Sequence, residues 1–323
     1  MSRRRIVAQT VHLLATPSQR SLVQHQGSST PPRRSRPASY SESVGSLPNL
    51  PYVVVDSNQL RRRDVIEPLL TEFQRSGQRI MLPWTSMYEL TKGNGDNFVA
   101  SVRHLSERPE AVSVAYATIR LYQERERRFL RLAVDVTHPD STRNLRVILS
   151  GLADGSISER EAREIMKPVA AAAHNLVSAL DFESKVRSVT RGLAEDLDGS
   201  SANAIRSALV KKDREPLRRA LVERLSHNQL HRHLSEVSVP FAKARKLARM
   251  PSFAALNLVG WTTIALRWSV LRGIENTRKP LENDVIDLEN ALVALYGRNF
   301  ISKDQNAKDL YEDLRAVVPL VWP

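Results

Sequence analysis

The stretch PYVVVDSNQL, residues 51 to 60, constrains the fold most. Four consecutive apolar residues, Tyr52 to Val55, stop abruptly at an acid followed by two small polar residues. A strand with one wet face alternates apolar and polar residues, whereas a short unbroken apolar run suits a strand covered on both faces, as in a parallel sheet. The next segment, RRRDVIEPLLTEFQRSGQ (61–78), places Val65, Ile66, Leu69, Leu70 and Phe73 on one helical stripe that closes at Gly77. RIMLPWTSMYEL (79–90) repeats the short apolar run, breaks at Pro83 and opens a helix holding Glu89. This order of strand, helix, strand and helix predicts a right-handed βαβ unit with a parallel strand pair.

The C-terminal end returns to the same grammar. ENDVIDLENALVALYG (282–297) puts Val285, Leu288, Leu292 and Leu295 on one stripe with Gly297 at its C-terminal stop, and RNFIS (298–302) reads as a short strand running into KDQN. AKDLYEDLRAVVPLVWP (307–323) predicts a last helix capped from Asn306 and a short strand-like end. Between 98 and 280 long helical patterns dominate, among them ATIRLYQERERRFLRLAVDV and REPLRRALVERLSHNQLHRHLSEV, divided by turn signals such as HPDSTRN, LADGS and DGSSAN. The run PSFAALNLVGWTTIALRWSVL (251–271) is interrupted by Asn257, two Thr and Arg267 and falls short of the roughly 20 apolar residues a membrane span needs. It reads as a buried helix, with Trp261 and Trp268 on one face, and no membrane partner is expected.

The expected fold class is therefore α/β, a central mainly parallel sheet interrupted by a large all-helical insertion. Residues 51–97 and 281–323 form two discontinuous parts of one core, and 98–280 complete it and form the insertion. Residues 1–50 are rich in Ser, Pro, Gln and Arg, a composition that buries too little apolar surface to offset chain entropy, so a disordered basic arm is expected. Its Arg-rich, acid-poor start also has the make-up of an organelle transit peptide. That arm holds seven Arg and one acid, yet the rest of the chain still carries 41 basic against 34 acidic residues, so the positive charge belongs to the body and favours a polyanionic partner. Cysteine is absent, which excludes disulfides, thiol chemistry and Cys-based zinc sites and fits a reducing, cytoplasmic setting.

Within this basic chain four carboxylates occupy related places. Asp56 ends the first strand, Glu89 lies in the helix after the second, Asp287 lies in the helix before the last strand, and Asp304 follows that strand. In open parallel sheets ligands bind beyond the carboxyl ends of the strands, so acids carried there converge on one crevice. Hard carboxylate oxygens that repel one another suit Mg2+ or Mn2+, and such ions serve in-line phosphodiester cleavage. Asp284 is the rival of Asp287, since residues three apart share a helix face.

These segments resemble PIN-domain nucleases. VVVDSNQL resembles the opening of that family, a hydrophobic strand running into Asp-x-Asn, and DLENALVALYGRNFISKD resembles its closing block, an Asp-led helix, Gly, a hydrophobic strand, Ser or Thr, one residue and Asp. The resemblance implies a PIN-like three-layer core, Asp56, Glu89, Asp287 and Asp304 as catalytic and metal-binding acids, and Asn58 and Ser302 as their supporting polar groups. It favours Asp287 over Asp284, because the spacing to Gly297 and Asp304 fits the closing block better. About 90 residues are covered, at 50–97 and 281–323, and the helical insertion departs from a compact member of the family.

The resulting expectation is a Mg2+- or Mn2+-dependent nuclease acting on nucleic acid, RNA ahead of DNA, with the helical insertion offering a surface for a second copy or a regulatory protein. The alternative is a non-catalytic module that binds nucleic acid or protein on the same platform. His227 and His231, four apart in HNQLHRH, read as a surface cluster because no acid stands between them in metalloprotease order.

Overall fold

The computed structural model describes residues 47, 49–91, 96–121, 126–133, 135–167, 199–236, 241–271 and 281–323. The basic arm, apart from its last few residues, and the segment from 168 to 198 lie outside the described residues.

Four strands form one sheet in the order β3-β2-β1-β4, and every neighbouring pair is parallel. They are β1 (Tyr52–Val55), β2 (Arg79–Leu82), β3 (Val112–Val114) and β4 (Asn299–Ile301). Successive side chains of β1 enter two different cores. Tyr52 and Val54 join Met81, Phe300 and the C-terminal helices, whereas Val53 and Val55 join Ile80, Leu82, Val112 and Val114 under the N-terminal helices. A period of two between two apolar layers is why an unbroken run, and not an alternating one, encodes this strand.

The first face is covered by α1 (Arg63–Ser76), α2 (Trp84–Thr91), α3 (Asp96–Val102) and α4 (Pro139–Ala153). Helix α1 buries Ile66 and Leu70 and ends at Gly77, whose φ of 73° is a left-handed value that glycine adopts without steric cost. The opposite face carries α5 (Gly199–Val210), α6 (Glu215–Arg224), α7 (His227–Glu236), α8 (Phe241–Ala248), α9 (Phe253–Leu271), α10 (Leu281–Tyr296) and α11 (Gln305–Val321). Leu217, Leu221 and Leu234 of α6 and α7 sit in the same apolar cluster as Tyr52 and Phe300, so the insertion shares the core of the sheet. Trp261 and Trp268 pack against that cluster from α9. Among the described residues no helix is long and apolar enough to cross a membrane.

Helices α9 and α10 run antiparallel. Phe253 stacks on Tyr296 with ring centroids 4.2 Å apart, while Gly260 abuts Leu288. The pair is pinned at one end by Glu126, fully buried, which accepts from the Phe253 backbone N–H at 2.7 Å and from the Tyr296 hydroxyl at 3.2 Å. Burial pushes the Glu126 carboxyl up to about 7 against the opposing pull of those donors.

Four local expectations change. Region 98–280 is not all helix: Val112–Val114 adds the edge strand β3, whose three residues are buried on both sides. ATIRLYQERERRFLRLAVDV is not one helix, because Leu130 takes a left-handed φ of 50° and the chain turns back to pair Thr137 antiparallel with Ala115. HPDSTRN is a helix start and not only a turn, with His138 Nδ1 accepting from the Ser141 N–H at 3.2 Å and Pro139 in the first turn of α4. At the C-terminus α11 continues through Pro319 to Val321, and its cap is Asp304, not Asn306.

Candidate active site

Strand register brings the first pair of candidates together. Val55 pairs with Ile301 across β1 and β4, so the next residues, Asp56 and Ser302, stand side by side at the carboxyl edge of the sheet. The Asp56 N–H donates to the Ile301 carbonyl at 2.9 Å, and the Ser302 hydroxyl donates to Asp56 Oδ2. Ser302 Oγ then accepts from the Asp304 N–H at 3.0 Å. Asp304 Oδ1 accepts from the Asn306 N–H at 2.7 Å, so one carboxylate oxygen caps α11 while the other is uncommitted among the described residues. A single serine thus ties two acids into a fixed geometry.

Glu89 enters from α2. Its Oε2 accepts from the Ser57 hydroxyl at 2.7 Å, and the same hydroxyl lies 3.5 Å from Asp56 Oδ1. Ser57 therefore links the strand-end acid to the helix acid. Asn58 serves differently from the expectation: its exposed side chain accepts from Gln59 Nε2 at 2.8 Å, and its backbone N–H is the group that reaches Asp56. Ser57 was readable in the D-S-N sequence but nothing in that triplet says which of two polar side chains turns inward.

Asp287 lies on α10, with Asp284 one turn earlier. Its carboxyl is pushed up to about 8, first by burial and then by the charges of Asp304, Asp56, Asp284 and Glu89. Among the described residues it has no hydrogen-bond or ion-pair partner to offset them. Asp56 is also raised, by burial first and by Asp304 last, against the Ser302 hydroxyl and the backbone N–H groups of Asn58 and Ser57. Every acid singled out in the sequence therefore contributes to one field centred on Asp287. Asp284 lies toward Arg267, whose charge it also feels.

The site stands against polar groups buried beneath it. Thr85 donates to Asn290 Oδ1 at 3.1 Å, while Ser86 Oγ and Asn290 Nδ2 lack partners among the described residues. Ser86 precedes Glu89 by one helical turn and Asn290 follows Asp287 by one. Deeper, Glu289 accepts from the Thr118 hydroxyl at 2.8 Å and is raised to about 7 by burial. Gly297 closes the corner between α10 and β4: a Cβ there would lie 2.4 Å from Tyr52 Cε2 and 2.9 Å from the Tyr52 carbonyl oxygen. Its role is close approach to β1, which sets the spacing from Asp287 to Asp304.

Carboxylate oxygens around a partner-poor Asp287 are the donor chemistry that a hard divalent cation takes. Among the described residues no group of three or more His, Cys, Asp or Glu side chains is arranged to hold a metal ion. His227 and His231 share α7.

No protein-family model matches the chain, and neither do any curated protein or solved structure.

Proposed function

We propose that the protein is a divalent-metal-dependent nuclease, with RNA as its first candidate substrate, built on a PIN-like core. The observation that carries the reading is the Asp287 carboxyl pushed to about 8 by Asp304, Asp56, Asp284 and Glu89, acids delivered by a strand end, two helices and a helix cap. Structural carboxylates are normally paired or solvated, and five facing one another cost stability unless positive charge enters.

Asp56, Glu89, Asp287 and Asp304 would hold Mg2+ or Mn2+. When bound, the ion would supply activation of water and charge neutralisation at the scissile phosphodiester. The chain's own groups prepare that task. Ser302 and the two backbone N–H groups hold Asp56 in one rotamer, Ser57 holds Glu89, and the α11 cap holds Asp304. Asp287, raised to about 8, holds its proton near neutrality and would release it on binding a divalent cation. Exposed Arg61, Arg63 and Lys303, within a few residues of Asp56 and Asp304, offer charge to a phosphate backbone.

The decisive experiment is hydrolysis of single-stranded RNA and of DNA by the purified chain in Mg2+ and in Mn2+, with Asp56→Asn and Asp304→Asn beside it. Cleavage lost in both variants, with melting temperatures close to the parent, is the expected result. Variants that cleave at the parental rate would end the catalytic assignment.

A further inference from the structure

An arginine inside the apolar helix α9 extends this reading. Arg267 is 13% exposed, and a cation that buried ordinarily has close carboxylate partners. Its contacts are long: 3.5 Å from Nη1 to the Asn306 carbonyl, 3.5 Å from Nη2 to Asn306 Oδ1, and 3.9 Å to Asp309 Oδ2. Among the described residues, the α11 carboxylates near it are already engaged. Asp309 accepts from Arg214 Nη1 at 2.5 Å and from Gln305 Nε2 at 2.7 Å, and the fully buried Asp313 is held by Arg214 and Arg218. Burial and the neighbouring Arg214 charge both disfavour the Arg267 cation, while Asp313, Asp309 and Asp284 favour it.

The location matters as much as the pairing. Asn306, which Arg267 touches, donates its N–H to Asp304, and Asp284, whose charge Arg267 feels, adds its own charge to the field on Asp287. The guanidinium therefore sits between the Arg214–Asp309–Asp313 ion network on one side and the acid cluster on the other. We infer that Arg267 is the phosphate-binding residue of the site, its planar fork receiving a non-bridging oxygen pair of the nucleic-acid backbone beside Asp304 and Asp284. Five N–H donors matched to planar, bidentate acceptors are what distinguish arginine from lysine in that role. A cation needed only for packing would have closed on Asp309 at ordinary hydrogen-bond distance; here Arg214 occupies that place.

The inference rests on the nuclease reading, and a binding measurement separates the two. A short fluorescein-labelled single-stranded RNA is titrated with the full chain in Ca2+, followed by anisotropy over a series of salt concentrations, with RNA integrity checked on a gel. Arg267→Gln is expected to bind about tenfold more weakly and to reduce the log–log salt slope by roughly 0.7, one phosphate contact on a single strand, with its melting temperature close to the parent. Arg267→Lys should bind several-fold more weakly than the parent while keeping the slope, because it retains the charge and loses the fork. Parental affinity and slope in Arg267→Gln, with a lowered melting temperature, would make the residue a brace between α9 and α11 and overturn the inference. Should Arg267→Gln not fold, parental affinity in Arg267→Lys overturns it equally. A parent that binds RNA but does not cleave it in Mg2+ removes the nuclease reading alone, whereas a parent that does not bind removes both.

Discussion

Replacing Asp287 by Asn should stabilise the protein in the absence of divalent ions and cost it the response to them. The carboxyl is raised from an ordinary 3.8 to about 8 by burial and by Asp304, Asp56, Asp284 and Glu89. A raised carboxyl contributes its full share of stability below the unfolded-state value, near pH 4, and loses it as pH climbs to about 8, because the folded chain holds a proton that the unfolded chain has released. At pH 7 the penalty is about 4 kcal/mol from the difference between 3.8 and 7, and screening of a partly exposed group reduces it to about 2 kcal/mol. Asn keeps the shape and removes the charge, so its melting temperature in EDTA should exceed the parent's by about 4–8 °C at pH 7. The gain should shrink toward pH 4 and reach its plateau above pH 8. Mn2+ should reverse the order, since a ligand bound at a hundredfold excess over its Kd raises the parent by about 2.7 kcal/mol and the variant by much less. Thermal melts followed by tryptophan fluorescence, with EDTA or Mn2+ across that pH range, test both signs. An Asn variant that melts below the parent in EDTA at pH 8, or that gains as much from Mn2+, would refute the account of a charge-loaded crevice.

Two further outcomes follow from the scaffold. Gly297→Ala should lower stability by about 1–3 kcal/mol, because its Cβ would press on the Tyr52 ring and carbonyl and force α10 away from β1, and chemical denaturation would register the loss. Glu126, raised to about 7 by burial, should make stability decline as pH rises from about 4.5 to 7; Glu126→Gln should flatten that part of the pH profile, and an unchanged slope would show that burial does not hold the proton on Glu126.

How much of this was legible in residues alone differs from element to element. The runs at Tyr52–Val55 and Arg79–Leu82, the stripe of α1 and the Gly77 stop were readable because their causes are local: apolar spacing and a backbone that needs a left-handed residue. The buried helix at 253–271 was readable for the same reason, and so was the oddity of Arg267 within it, although its neighbours were not. Strand β3 escaped notice because three residues set between helical patterns carry almost no periodicity, and only pairing with β2 makes them a strand. Asp304 as the α11 cap, in place of Asn306, depended on where β4 ended.

What the sequence determined by itself is that two short strand-like runs, Tyr52–Val55 and Asn299–Ile301, lead into acids, Asp56 and Asp304, within a basic chain. Tertiary structure alone decided that Ser302 meets Asp56 across 246 residues, that Ser57 and not the Asn58 side chain joins Glu89, and that Asp287 stands where the other charges converge. Spacing along a chain reports which face of a helix or strand a residue occupies. Which faces then meet is settled by strand register and helix packing, and the field at a carboxyl depends on distances that only those contacts set.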